Sequence, residues 1–350
     1  MFEKLSRGEV FEAVDMLIDT MGVKETVPFS AFKGYLKKKD KKGCIEKIAI
    51  LLDLPVCINI SVASKDYRQE NAKKFTSSSM AQTDEKHHGK ESIIAQVMIP
   101  QYLPMWGTPG LYGYEIEVLV SENWMERPDT FVTIMAHELS HILLAAIRSP
   151  YKDSEFHTDL VPILFGFGEF VRRGRKISYV TTSGNESTTH TITYGYLSDE
   201  IFGQAYTRIK EFLGNARHKK RRLEKMTARA EHILNETVRQ TVILEDCFAK
   251  ISTSQPRKMK TEHARRLVEL HGQDFEGELN ACFAGAKRKL EDTTTFIQGL
   301  GRYTKQAVEE LDVKTKLLDG LSKELESKTE TIVKDSRIMK KYIKKQVLAH

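Results

Sequence analysis

The sequence predicts an α+β domain followed by an all-α helical domain, and three observations carry that expectation. Over the first 214 residues, segments rich in β-branched residues alternate with stretches of helical periodicity. Beyond Gly214 the strand signal almost vanishes, Lys, Arg and Glu dominate, and Leu311, Leu318, Leu325, Ile332 and Met339 recur every seven residues. Charge divides at the same place: residues 215–350 carry 29 Lys and Arg against 20 Asp and Glu, net +9, and the residues before them 25 against 28, net −3.

The expected division is helices over 1–54 packed on a core, a catalytic-type domain over 55–214, and a basic helical domain over 215–350. VFEAVDMLIDTM (10–21) and IEKIAILLDL (45–54, after a break at Gly43) have helical spacing, and the basic run 37–43 reads as the turn between them. VCINISVA (56–63), SIIAQVMIP (92–100) and YEIEVLVS (114–121) read as strands, with a polar loop or ribbon over 69–91. Helical periodicity returns over 129–147, with Asp129 or Thr130 as the N-cap, and again from Ser154, where Pro162, Gly166 and Gly168 should kink or crowd the helix. KISYVTT and THTITYGY flank a turn at 183–187, and Ser198 should cap a helix running to about Leu213. A bundle of about three helices completes the chain, with breaks near 253–261 and 295–301.

Several function classes fall away. No apolar run approaches the roughly 18–20 residues of a membrane helix, and the N-terminus has no apolar signal core. Cys44, Cys57, Cys247 and Cys282 are far apart, with no CxxC pair, which fits a cytoplasmic protein without a disulfide framework. There is no lysine-bearing phosphate loop and no nucleophile elbow.

The residues that carry chemistry are His137-Glu138-Leu139-Ser140-His141. On a helix, His137 and His141 project from one face, one turn apart, and can grip a single Zn²⁺ at about 2.0–2.1 Å each. Glu138 stands beside them, placed to take a proton from a water that the metal polarises. The flanks, Phe131 to Ala136 and Ile142 to Ala146, are apolar, so these polar groups are buried and need partners. Zinc needs a third protein ligand. Glu155 and Asp159, four apart, share a helix face: Glu155 is the favoured ligand, and Asp159 the acceptor for the free N–H of a ligating histidine. His157, roughly 200° around from both, is the alternative ligand.

HExxH followed by ExxxD on a second helix resembles the gluzincin group of zinc metallopeptidases. Glu155-x-x-Thr158-Asp159-Leu160, Gly166-Phe167-Gly168 and Gly195-Tyr196-Leu197-Ser198 are similar to segments of a bacterial group of small HExxH proteins. The resemblance covers about residues 92–213 and implies a compact zincin-like metallopeptidase domain, a small sheet over an active-site helix and a glutamate-bearing helix. It further implies peptide hydrolysis, with a tyrosine or histidine holding the developing oxyanion; Tyr194, Tyr196 and His190 are the candidates in this sequence. Tyr114 to Val118 is either the cleft-lining edge strand or an interior strand.

Outside that site, His87-His88 reads as solvated. The cluster Arg217 to Arg222 could touch nucleic acid or an acidic partner, but without interleaved aromatics a solvated helix start is favoured. Two functions stand: a zinc metallopeptidase acting on a peptide or protein, whose helical region recruits an acidic partner or a second copy, and a helical binding or assembly protein around an inactive zinc-binding scaffold. An intact Glu138 favours the first.

Overall fold

Ser6 opens the first helix through a reciprocal capping box, its hydroxyl accepting from the Glu9 N–H while the Glu9 carboxylate accepts from the Ser6 N–H. The computed structural model describes residues 5–63, 82–83, 95–122, 124–183, 186–252 and 275–347. Helix α1 (Arg7–Met21) buries Val10, Val14, Leu17, Ile18 and Met21 along one stripe. A helix the periodicity did not reveal follows, α2 (Ser30–Lys38), and then α3 (Lys41–Leu51). Gly43 does not break α3 but lies in its first turn, where the Asp40 carboxylate caps its N–H at 2.9 Å; a Cβ there would stand 2.4 Å from Asp40 Oδ2.

Two small sheets follow. In the first, β1 (Cys57–Ala63) runs parallel to β4 (Glu115–Ser121), and β3 (Ala95–Val97) pairs antiparallel on the other side of β4. The segment beginning at Tyr114 is therefore the central strand, and the edge-strand alternative is overturned. In the second sheet, β5 (Lys176–Ser183) and β6 (Glu186–Thr193) form an antiparallel pair, and β2 (Gln82–Thr83) adds to β6. Most of 69–91, including His87-His88, lies outside the described residues.

Helix α4 (Pro128–Ala146) is buried from Thr130 to Ala146 and packs against α3, β3 and the helix over Gly168–Gly174 as well as the helix that follows it. Neither Asp129 nor Thr130 is its N-cap. Pro128 occupies the first helical position, where its missing N–H costs nothing, and Asp129 falls in the first turn. Next comes α5 (Glu155–Pro162), capped by Ser154; past Pro162 the chain makes a wide turn over 163–167, then α6 (Gly168–Gly174). Gly166 sits at φ +89 with the Glu25 carbonyl where its Cβ would be, 2.1 Å away, so only glycine lets residues 24–27 lie against this turn. Those strands of backbone are tied by Lys24 N–H to the Leu164 carbonyl (2.8 Å) and Val27 N–H to the Gly166 carbonyl (2.9 Å). Phe29, Phe32, Phe167 and Phe170 close the packing from α2.

The chain divides into two compact units, residues 1–213 with 302–304, and 214–301 with 305–350. Helix α7 (Asp199–Ser252), with Ser198 accepting from the Ile201 N–H, does not stop near Leu213. In the second unit its later turns meet α8 (Phe275–Gly299) and α9 (Lys305–Val347). Lys219 pairs with Asp312 (2.6 Å) and Arg229 with Glu326 (2.7 Å), so α7 and α9 run parallel. Ala286 and Leu290 of α8 share one core cluster with Leu223 to Leu234 of α7, and Leu279 shares the other with Leu244 to Ile251, so α8 runs antiparallel to α7. The predicted heptad residues Leu311, Leu318, Leu325, Ile332 and Met339 are all buried in these clusters. The result is a mixed, mostly helical α+β protein with a C-terminal helical region. No helix among the described residues is long and apolar enough to cross a membrane, and all four cysteines are free.

Candidate metal centre

Helix spacing brings His137 and His141 to one face of α4, their rings 5.0 Å apart and edge to face. Glu155, in the first turn of α5, reaches them: its Oε2 lies 3.1 Å from His137 Nε2 and 3.4 Å from His141 Nε2. The three ligand atoms all fall within 4.8 Å of one another. Neither approach to Glu155 has the direction of a hydrogen bond, and His141 Nε2 and Glu155 Oε2 are both buried without one. Buried polar atoms left this way cost free energy unless something satisfies them. Tetrahedral bonds of about 2.0–2.1 Å would set ligand atoms about 3.3 Å apart, close to the two separations at Glu155. The donor set therefore fits a metal ion, of unspecified identity.

The other ring nitrogens are held from behind. Asp159 Oδ1 lies 2.6 Å from His137 Nδ1, and since an ionised carboxylate only accepts, Nδ1 keeps its proton and it is Nε2 that is left with the lone pair when the ring is neutral. His141 Nδ1 is 3.3 Å from Thr158 Oγ1, whose own hydroxyl donates to the Ser154 carbonyl at 3.0 Å and so presents a lone pair to the imidazole. Both histidines thus aim Nε2 at Glu155. In the sequence Thr158 has no role beyond its place in the Glu155-x-x-Thr158-Asp159-Leu160 segment, although Glu155, Thr158 and Asp159 follow the i, i+3, i+4 spacing of one helix face.

Asp159 is fixed in turn by the segment after β6: its Oδ2 accepts from the N–H groups of Tyr196 (2.5 Å) and Leu197 (3.2 Å). Gly195 makes the turn at φ +89, and a Cβ there would sit 3.0 Å from the same carboxylate oxygen. The G-Y-L-S segment is thereby part of the site, a connection that 35 intervening residues hide from sequence spacing.

Charge follows geometry. Burial by itself would lower the His137 pKa, but the Asp159 and Glu155 carboxylates outweigh it and hold the pKa well above the usual histidine value. For Glu155, burial pushes upward, and the two imidazoles more than reverse it, bringing the carboxyl to about 2. Burial, with Glu155, Asp159 and Glu138 nearby, raises the Tyr196 phenol to about 12. Glu138 itself is 0 % exposed and close enough to shift both His137 and Tyr196. Only the Glu155 side chain, 35 % exposed, opens the cluster outward.

Of the remaining candidates, Tyr196 is brought to the cluster, its ring stacked 6.0 Å from His137. Tyr194 is buried in the wall of a cavity of about 20 Å³ that touches His137 and Asp159 but neither His141 nor Glu155. His190 lies in β6 opposite Tyr179, and its side chain is outside the described ones. His157 is not in the cluster: its Nδ1 meets Ser154 Oγ at 2.8 Å and its ring stacks on Tyr151 at 4.1 Å. Comparison of the chain with family models, with curated proteins and with solved structures gives no match.

Proposed function

We propose that the chain is a zinc-dependent peptidase, with His137, His141 and Glu155 holding the metal and Glu138 acting as general base. The observation that carries this reading is the convergence of three ligand atoms, two of them buried and otherwise unbonded, beside a buried glutamate. Bound there, zinc would lower the pKa of a coordinated water toward about 7 and polarise a peptide carbonyl. Glu138 accepts the proton of the attacking water and hands it to the leaving amine. Tyr196, kept neutral by its raised pKa and stacked on His137, is the donor best placed to hold the developing oxyanion. Asp159 and Thr158 keep both imidazoles in the ligating tautomer. The zincin-like ancestry suggested by HExxH-ExxxD and the cytoplasmic setting suggested by the lone cysteines belong to the same proposal, as does an acidic or identical partner for the basic helical region.

Burial favours a second reading. Because Glu138 is fully enclosed, the centre also suits a structural metal site in a helical binding protein. Hydrolysis of a peptide library by zinc-loaded protein decides between them. Glu138→Gln should keep its zinc and lose about 10²- to 10⁴-fold in rate. Wild-type protein that binds zinc and cleaves nothing would sink the peptidase reading and leave the scaffold.

A further inference from the structure

Arg175 follows α6 and is only 5 % exposed, which for a guanidinium demands partners. Burial depresses its pKa, and Asp199 and Asp159 act against that. Its Nη2 donates to the Leu197 carbonyl at close range and its Nη1 to the Ser198 carbonyl at 3.4 Å. Its own carbonyl accepts from the Tyr194 N–H at 2.7 Å, and its guanidinium lies over the Phe202 ring. One residue therefore grips the segment 194–198 at both ends.

That segment is the one whose Tyr196 and Leu197 N–H groups hold Asp159 Oδ2, while Asp159 Oδ1 holds His137. We propose that Arg175 is a positioning residue of the metal centre, acting through the 195–198 turn and Asp159 to aim His137 Nε2 at the metal. Its donors fix the carbonyls of the turn, the turn presents successive amides to Asp159, and the carboxylate then has one orientation left for the imidazole. Without the guanidinium, the carbonyl of buried Leu197 loses its side-chain donor, the Ser198 carbonyl keeps only the Phe202 N–H at 2.9 Å, and the turn relaxes away from Asp159. Nothing in this chain of contacts requires Arg175 to touch substrate or metal.

The inference rests on the metal reading, and the test separates the two. Zinc affinity is measured by competition with a chromophoric chelator for the full-length wild type, Arg175→Met, Asp159→Ala and the double variant. Thermal melts of the metal-free proteins are run alongside. Arg175→Met should weaken zinc binding about 10- to 100-fold, the usual cost of losing a group that orients a ligand. In the Asp159→Ala background the same change should cost almost nothing, because the relay has lost its last link. A purely structural arginine would give an equal loss in both backgrounds, and that result overturns the proposal, as does unchanged affinity in folded Arg175→Met. Arg175→Lys keeps the charge but cannot bridge both carbonyls, and should fall between wild type and Arg175→Met. If Arg175→Met does not fold, the lysine variant carries the decision, and wild-type affinity in it overturns the proposal. Failure of the wild type to bind zinc refutes the metal reading itself, and the Arg175 relay with it.

Discussion

The α4–α5 region and the helical unit both bury many polar side chains, and they dispose of them in opposite ways. In the helical unit, the hydroxyls of Thr227, Thr237, Thr241, Thr293, Thr315 and Ser322 each donate to the carbonyl four residues earlier in their own helix. Ser336 is an exception, its hydroxyl buried without a partner. Ser140, in the middle of the HExxH stretch, follows the local rule, with its hydroxyl 2.6 Å from the Ala136 carbonyl. Its neighbours do not. His137 reaches 22 residues ahead to Asp159, His141 reaches Thr158, and Asp159 reaches the turn at 195–198. Burial of polar groups is thus ordinary in this protein. Bonds between elements occur in the helical unit too, as between Thr237 and Thr329, and what distinguishes the site is a chain of them that still leaves two inward-facing atoms unsatisfied.

The largest test of that distinction is removal of one inward-facing atom. Glu155→Ala deletes the third donor and should weaken zinc binding by more than the about 100-fold that outlying partners cost. His157→Ala, two residues along the same helix, should leave binding within a few fold, since that ring is turned onto Ser154 and Tyr151. Metal content by elemental analysis reads both. Zinc kept by the first variant and lost by the second would exchange their roles and break the geometric assignment.

A second test uses pH. Protonated His137 stabilises the metal-free fold through Asp159 and Glu155, because its folded pKa lies above the unfolded value near 6.5. That contribution is full below about pH 6.5 and fades as pH rises through the raised folded value. Glu155, depressed to about 2, contributes above its ordinary value near 4.5 and loses its effect as pH falls toward 2. The metal requires a neutral imidazole, so binding must release the His137 proton. The melting temperature of metal-free protein should therefore decline above about pH 6.5, while the increment produced by excess zinc grows over the same range. A zinc increment that shrinks with rising pH would remove His137 from the ligand set. Substitutions in the helical unit, away from His137 and Glu155, should leave this profile in place.

Much of this contrast was legible in the residues themselves. The heptad Leu311 to Met339 located the helical unit's core, since a seven-residue apolar repeat has few other uses. HExxH and the Glu155–Asp159 spacing located the α4–α5 face, because helix geometry turns spacing of four directly into proximity. What stayed hidden lies where proximity depends on the tertiary fold. Neither Gly195 nor Arg175 has any local pattern that ties it to Asp159. Helix α2 is nine residues with one buried apolar residue, Phe32, too little for periodicity to register. The central position of β4 depends on a parallel partner 58 residues earlier, Cys57 opposite Glu115, and pairing at that range leaves no trace in a strand's own composition.

The finest test compares one substitution in two places. Thr158 and Thr237 are both fully buried, and both donate to the carbonyl four residues back, at 3.0 and 2.7 Å. Each also touches a side chain on another element: His141 Nδ1 at 3.3 Å for Thr158, and Thr329 Oγ1 at 2.6 Å for Thr237. Valine preserves the shape of threonine and removes the hydroxyl, so either change should alter stability by only about 1 kcal/mol. Their effects on zinc should differ. Thr158→Val leaves His141 Nδ1–H without an acceptor and frees the ring to change tautomer, which should weaken zinc binding by about tenfold. Thr237→Val should leave zinc affinity at the wild-type value, because Thr329 retains the Leu325 carbonyl, 2.7 Å away, as its own partner. Equal zinc affinities in the two variants, with both melts near wild type, would show that Thr158 is packing like Thr237 and that the site's outlying support ends at Asp159.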